Sequence, residues 1–103
     1  MRGDVHQLRS DRQARGREQR GRRFAVVLQS DNLPLSTVVV APTSASARAA
    51  DFRPEITVAG AATKVLVEQL AAVDLSRLGE HVGRVSPEEL LALDEALRDV
   101  LSL

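Results

Sequence analysis

The chain has 103 residues, 44% hydrophobic and 27% charged, with no cysteine. That is enough for one modest core and argues against disorder of the whole chain, and it excludes disulfides, thiolate metal sites and a cysteine nucleophile. The formal net charge is zero, but Arg2, Arg9, Arg12, Arg15, Arg17, Arg20, Arg22 and Arg23 face only Asp4, Asp11 and Glu18 in the first 23 residues, so the chain begins with an arginine-rich arm and carries its acidic excess later.

Gly3 to Leu8 reads as a short first strand whose alternation His6 and Gln7 interrupt. Arg9 to Arg22 holds Ala14 as its only apolar side chain and reads as a long exposed loop, a kind of segment that is functional or disordered more often than idle. Phe24 to Gln29 is a buried strand, broken by Asp31-Asn32-Leu33-Pro34, and Thr37 to Ala41 is a second, stopped by Pro42. Thr43 to Asp51 reads as a loop or weak helical turn. Glu55–Val58 and Thr63–Glu68 alternate polar with apolar residues around Ala59-Gly60 and are expected to pair as a hairpin. Asp74 to Leu78 looks like one helical turn stopped by Gly79, and His81 to Val85 like a last strand. Ser86-Pro87-Glu88-Glu89 is a capping box, opening a helix whose apolar stripe is Leu90, Leu93, Leu97 and Val100/Leu101. The order is several short strands and then one amphipathic helix covering an open side of the sheet, in a single domain over residues 1–103.

No apolar run approaches the roughly 20 residues that span a bilayer, and the polar N-terminus leads into no apolar segment, so neither membrane insertion nor secretion is expected and the cytoplasm is the default location. His6 and His81 stand apart in sequence, the Glu88-Glu89 pair is explained by the helix cap, and no cluster of metal ligands or glycine-rich phosphate loop is visible. Neither a metal nor another cofactor is therefore expected, although two histidines acting as acid and base remain conceivable. What remains is Arg23, at the junction of the arginine arm and a buried strand, with Thr43 and Ser44 at the end of the next strand. If those strands are neighbours, a fixed arginine and a hydroxyl share one cleft, where they can stabilise charge on a phosphoryl group. The residues alone leave the alternative open that Arg23 is a surface cation and Thr43 a turn residue.

Ordered segments along the chain carry a resemblance. They are Arg2-Gly-Asp-Val5, Gly16-Arg-Glu-Gln19 leading to Arg22-Arg23, Ala25-Val-Val-Leu-Gln-Ser-Asp31, Leu35-Ser-Thr-Val-Val-Val-Ala-Pro-Thr-Ser44, Val65-Leu-Val-Glu-Gln69, Val82-Gly-Arg-Val-Ser-Pro-Glu-Glu89 and Leu93-Asp-Glu-Ala-Leu97. Each is weak alone, but in this order and over nearly the full length they resemble the MazF/PemK toxins of type II toxin–antitoxin systems. The resemblance implies a mainly β fold with a C-terminal helix, a partly open SH3-like barrel of the MazF/PemK/CcdB kind, working as a homodimer. It also implies sequence-specific, metal-independent cleavage of single-stranded RNA by 2′-OH attack, and neutralisation by an antitoxin whose acidic C-terminal tail occupies the RNA site. By position, Arg23 matches the family's catalytic arginine and Thr43 its catalytic threonine, with Ser44 the neighbouring choice. Glu18, Gln19 and Arg22 match the RNA-contacting loop, and Gln69 a base-contacting position. The chain departs from the family at Phe24, where proline is usual, and at His6-Gln7, where an aromatic residue is usual; it has no Trp or Tyr. Two other readings share the scaffold: a binding toxin that inhibits DNA gyrase, and a catalytically degenerate paralogue.

Overall fold

The computed structural model describes residues 1–9 and 23–103. Seven strands and one helix follow in the order β1 (Asp4–Leu8), β2 (Phe24–Val27), β3 (Thr37–Ser44), β4 (Glu55–Val58), β5 (Ala61–Val65), β6 (Ala71–Asp74), β7 (Leu78–Arg84) and α1 (Pro87–Leu101), with short 3₁₀ turns at Val67–Gln69 and Leu75–Arg77. The sheet runs β4-β5-β3-β2-β1-β7, and β6 pairs with β3 on the same side as β5. All pairings are antiparallel. β3 is the pivot. Its first half, Thr37 to Val40, pairs with β6, and its last two residues, Thr43 and Ser44, pair with β5. Handing over from one partner to another along a single strand curls the sheet into a partly open barrel.

This handover explains why Pro42 does not end the strand. Its carbonyl accepts from Leu66 N at 2.8 Å, so its missing N–H faces the same side, in the gap where β6 has ended and β5 begins. A proline there removes no ladder bond. β2 is buried on both faces: Val26 and Leu28 join a core with Val5, Ile56, Val65 and Leu93, while Ala25 and Val27 join a second with Val38, Val40 and Val73. Burial on both sides is what makes Phe24–Leu28 read as a continuous apolar run.

The expected hairpin forms, although its second strand starts at Ala61 and ends at Val65, with Val67–Gln69 turning as a 3₁₀ segment. Ala59 (φ 51°) and Gly60 (φ 82°) both take left-handed conformations, as a two-residue type I′ turn requires. Gly60 does so freely, and Ala59 at a cost of roughly 1–2 kcal/mol. Gly79 stops nothing; it lies inside β7, where a Cβ would sit 3.1 Å from the Gln7 carbonyl oxygen, so its role is close approach of β7 to β1. The helical turn before it is real but short, capped by the Asp74 side chain accepting from Ser76 N at 2.9 Å.

The helix begins as its capping box dictates. Ser86 Oγ accepts from Glu89 N at 3.1 Å, and Glu89 Oε1 accepts from Ser86 N at 2.8 Å. The second oxygen of Glu89 accepts from Thr57 N at 2.9 Å, tying the cap to β4. Leu93 and Ala96 are buried in the first core with Leu90, Leu97 and Val100 packed beside them; Leu101 is exposed. Arg2 fixes the other flank of the helix through an ion pair to Asp94 and a 3.0 Å bond from its Nε to the Leu28 carbonyl.

Candidate active site

Arg23 immediately precedes β2, and its carbonyl accepts from Leu8 N at 2.8 Å, which fixes its backbone against β1. One strand over, the register Ala25↔Pro42 sets Thr43 beside Phe24, and Thr43 Oγ1 donates to the Phe24 carbonyl at 3.4 Å, a long and weak bond. A pocket of about 310 Å³ opens between these strands and the β4–β5 hairpin. Arg23, Phe24, Thr43 and Ser44 line it from β2 and β3, Ala45 and Ser46 from the segment after β3, and Val58, Ala61, Ala62 and Thr63 from the hairpin. Among the described residues no carboxylate lines it, and the one formal charge they bring to the lining is the Arg23 guanidinium. Arg23 Nε is buried and has no hydrogen-bond partner among the described residues. A buried unpaired donor costs about 1–3 kcal/mol, and an anion in the pocket would remove that cost.

Thr43 and Thr63 are the two buried polar residues among the described residues, 7% and 8% exposed, and both line this pocket. The register explains their proximity. Thr43 pairs with Val65 across β3 and β5, which makes Thr63, two residues earlier on the same face, its diagonal neighbour. Ser44 also reaches the lining, with its hydroxyl 3.4 Å from that of Ser46. Of the two hydroxyls expected at this position, Thr43 is the inward one.

The other expected positions divide. Glu18, Gln19 and Arg22 lie outside the described residues. Gln69 ends a 3₁₀ turn, is exposed and does not line the pocket. Its neighbour Glu68 takes two bonds from Arg53, at 2.7 and 3.0 Å, and the Arg53 guanidinium holds its carboxyl below the usual glutamate value. Thr63 and Ser46 enter the lining without having been singled out in the sequence. Their only signal is that Thr63 falls on the inward register of a strand that otherwise reads Ala-Ala and Lys-Val.

The histidines, distant in sequence, meet in the structure. β1 pairs with β7 so that His6 lies opposite His81, their rings edge to face at 5.2 Å. His6 Nδ1 is 3.0 Å from the Gly79 carbonyl, and His81 Nε2 is 3.5 Å from Asp4. Burial raises the Asp4 carboxyl, but bonds from Arg84, at 2.8 Å, and His81 bring it below its ordinary value. Neither histidine lines the arginine–threonine pocket. Among the described residues no three His, Cys, Asp or Glu side chains are grouped to hold a metal ion, and no helix is long and apolar enough to cross a membrane.

The model of PemK-like, MazF-like toxins of type II toxin–antitoxin systems matches residues 1–101. The chain belongs to this family. A candidate toxin of Mycobacterium tuberculosis, Rv3098A, is 38% identical over 104 residues, covering 100% of this chain and 98% of its own. Among solved structures, a mycobacterial endoribonuclease in complex with its cognate antitoxin superposes with a TM-score of 0.81 at 18% identity, over 100% of this chain and 95% of that one. The MazF of Deinococcus radiodurans, in complex with MazE, gives a TM-score of 0.80 at 25% identity, over 99% and 95%. The partly open barrel closed by a C-terminal helix is thus the PemK/MazF toxin fold, and Arg23 and Thr43 share one pocket in this toxin.

Proposed function

We propose that this toxin is a sequence-specific endoribonuclease that cuts single-stranded RNA without a metal ion. The observation that carries the reading is Arg23 Nε, buried and without a partner among the described residues, in a pocket to which those residues also bring the Thr43 hydroxyl and no carboxylate. In the reaction, the RNA's own 2′-oxygen attacks the adjacent phosphorus, loses its proton, and displaces the 5′-oxygen of the next nucleotide, which gains one. The products are a 2′,3′-cyclic phosphate and a 5′-hydroxyl. Negative charge grows on the phosphoryl oxygens during attack, and a guanidinium fixed beside them stabilises it more than it stabilises the ground state. Among the described residues the Thr43 hydroxyl is held by one 3.4 Å bond, weak enough for it to turn from the Phe24 carbonyl to a phosphoryl oxygen.

The described residues of the pocket supply a cation and hydroxyls rather than carboxylates or imidazoles, a donor set suited to phosphate and poor for a divalent ion. The same chemistry accepts a carboxylate-rich segment, and an acidic antitoxin tail lying over Arg23 would silence the toxin by competition, as the antitoxin complexes of the mycobacterial and Deinococcus relatives encourage. Exposed Leu33, Leu35 and Leu75 around a hollow of about 340 Å³ next to β6 offer a face on which a second copy would complete a homodimer. A gyrase-binding toxin on this scaffold, which transfers no phosphoryl group, has no need of the Arg23 guanidinium and the Thr43 hydroxyl in one pocket.

The test is incubation of the purified protein with mixed single-stranded RNA in EDTA, followed by mapping of the new ends. Cuts at a recurring short sequence with cyclic phosphate on the upstream fragment are expected. Intact RNA, or cutting that appears only when Mg²⁺ is restored, refutes the proposal.

A further inference from the structure

We infer that the pocket beside Arg23 takes one nucleobase of the RNA, its face against Phe24 and its edge at Thr63, so that Phe24 supplies affinity and Thr63 base choice. This rests on the reading of the site as RNA-cleaving and assigns it a subsite. The chain has two aromatic residues, no Trp and no Tyr. Phe52 lies under the Arg53 guanidinium, at 5.5 Å, whereas Phe24 lines the pocket. Its backbone pairs with Gln7 and its half-buried ring packs against the first core, so the ring has limited freedom to lose on stacking. The hairpin side of the pocket is built from Val58, Ala61 and Ala62, short apolar side chains that leave room for a flat ring. About 310 Å³ lies at the small end of ligand pockets and suits one nucleotide rather than a run of them.

Thr63 makes this apolar surface selective. It is 8% exposed, faces inward beside Thr43, and has no side-chain hydrogen bond among the described residues. A hydroxyl in that position can donate or accept, and a base whose edge fails to match leaves it unsatisfied. Phosphate and base then divide the pocket along its chemistry, the phosphate at Arg23 and Thr43 and the base between Phe24 and the hairpin.

The experiment uses a random pool of 2′-fluoro RNA decamers, which lack the attacking hydroxyl and cannot be cut by the proposed route. Affinity for the pool is measured by fluorescence anisotropy, and the bound fraction is sequenced for wild type, Phe24→Leu and Thr63→Val, with thermal melts to confirm folding. Phe24→Leu is expected to weaken binding about 5- to 150-fold, the range of one base–aromatic stack. Thr63→Val, nearly isosteric, should erase the base preference at one position of the selected sequence while leaving the others. Binding within twofold of wild type for Phe24→Leu, or an unchanged preference at every position for Thr63→Val, overturns the inference. If wild type still cuts RNA in that event, the cleavage reading stands without this subsite.

Discussion

Replacing Arg23 with alanine should abolish most activity without lowering stability. In most proteins a half-buried arginine earns its place by packing and hydrogen bonds, but here Nε is buried without a partner among the described residues. Truncation removes that desolvated donor, worth about 1–3 kcal/mol of relief, against the loss of some packing by the side-chain stem. The melting temperature should therefore stay within a few degrees of wild type, or rise. Activity behaves oppositely. A fixed donor aimed at developing charge typically contributes a factor of about 10²–10³ in rate, or about 2.7–4 kcal/mol of barrier. Arg23→Lys should recover less than a tenth of this, because an ammonium keeps the charge and loses the planar fork. Arg98, exposed on α1, is the control: its removal should change cleavage only slightly, and only at low salt. The assay is single-turnover cleavage of one RNA by wild type, Arg23→Ala, Arg23→Lys and Arg98→Ala, at low and high salt. Equal small losses for Arg23→Ala and Arg98→Ala would mean that Arg23 is only another surface cation.

Two further outcomes follow from the contacts that hold the scaffold. Glu89→Ala removes acceptors for both Ser86 N and Thr57 N; because the Thr57 amide can be resolvated, the loss should be about 1–2 kcal/mol, a melting shift of roughly 4–16 °C, with faster amide exchange at Thr57 as the local signature. Glu68, whose carboxyl Arg53 holds below its ordinary value of 4.5, contributes stability that is present above that value and lost as pH falls through its lower folded value; Glu68→Gln should accordingly flatten the acid limb of a stability–pH curve below about pH 4.5.

The parts of this molecule that could be read from the sequence are those whose signals are local. The capping box at Ser86, the apolar run of β2 and the two-residue turn at Ala59-Gly60 each carry their structural reason within a few residues. The hidden parts depend on partners. β6, Ala71–Asp74, opens on two alanines with little strand propensity and forms because β3 offers four residues to pair with. Pro42 looked like a stop because nothing nearby announced that β3 changes partners there. The meeting of His6 with His81 is a matter of register between the first and last strands. The site was half legible for the same reason. Arg23 and Thr43 followed from their places at strand ends and from the family pattern, whereas Thr63 joins them only through the pairing of β3 with β5.

The central claim is that the RNA supplies its own nucleophile within the Arg23–Thr43 pocket. It is tested most directly by one substitution in the substrate: a 2′-deoxyribose on the 5′ side of the mapped cut, in an otherwise unchanged RNA. The account predicts binding within a few-fold of the all-ribose strand and no cleavage at that bond. Cleavage that persists at the deoxy position, by water attack, would contradict it.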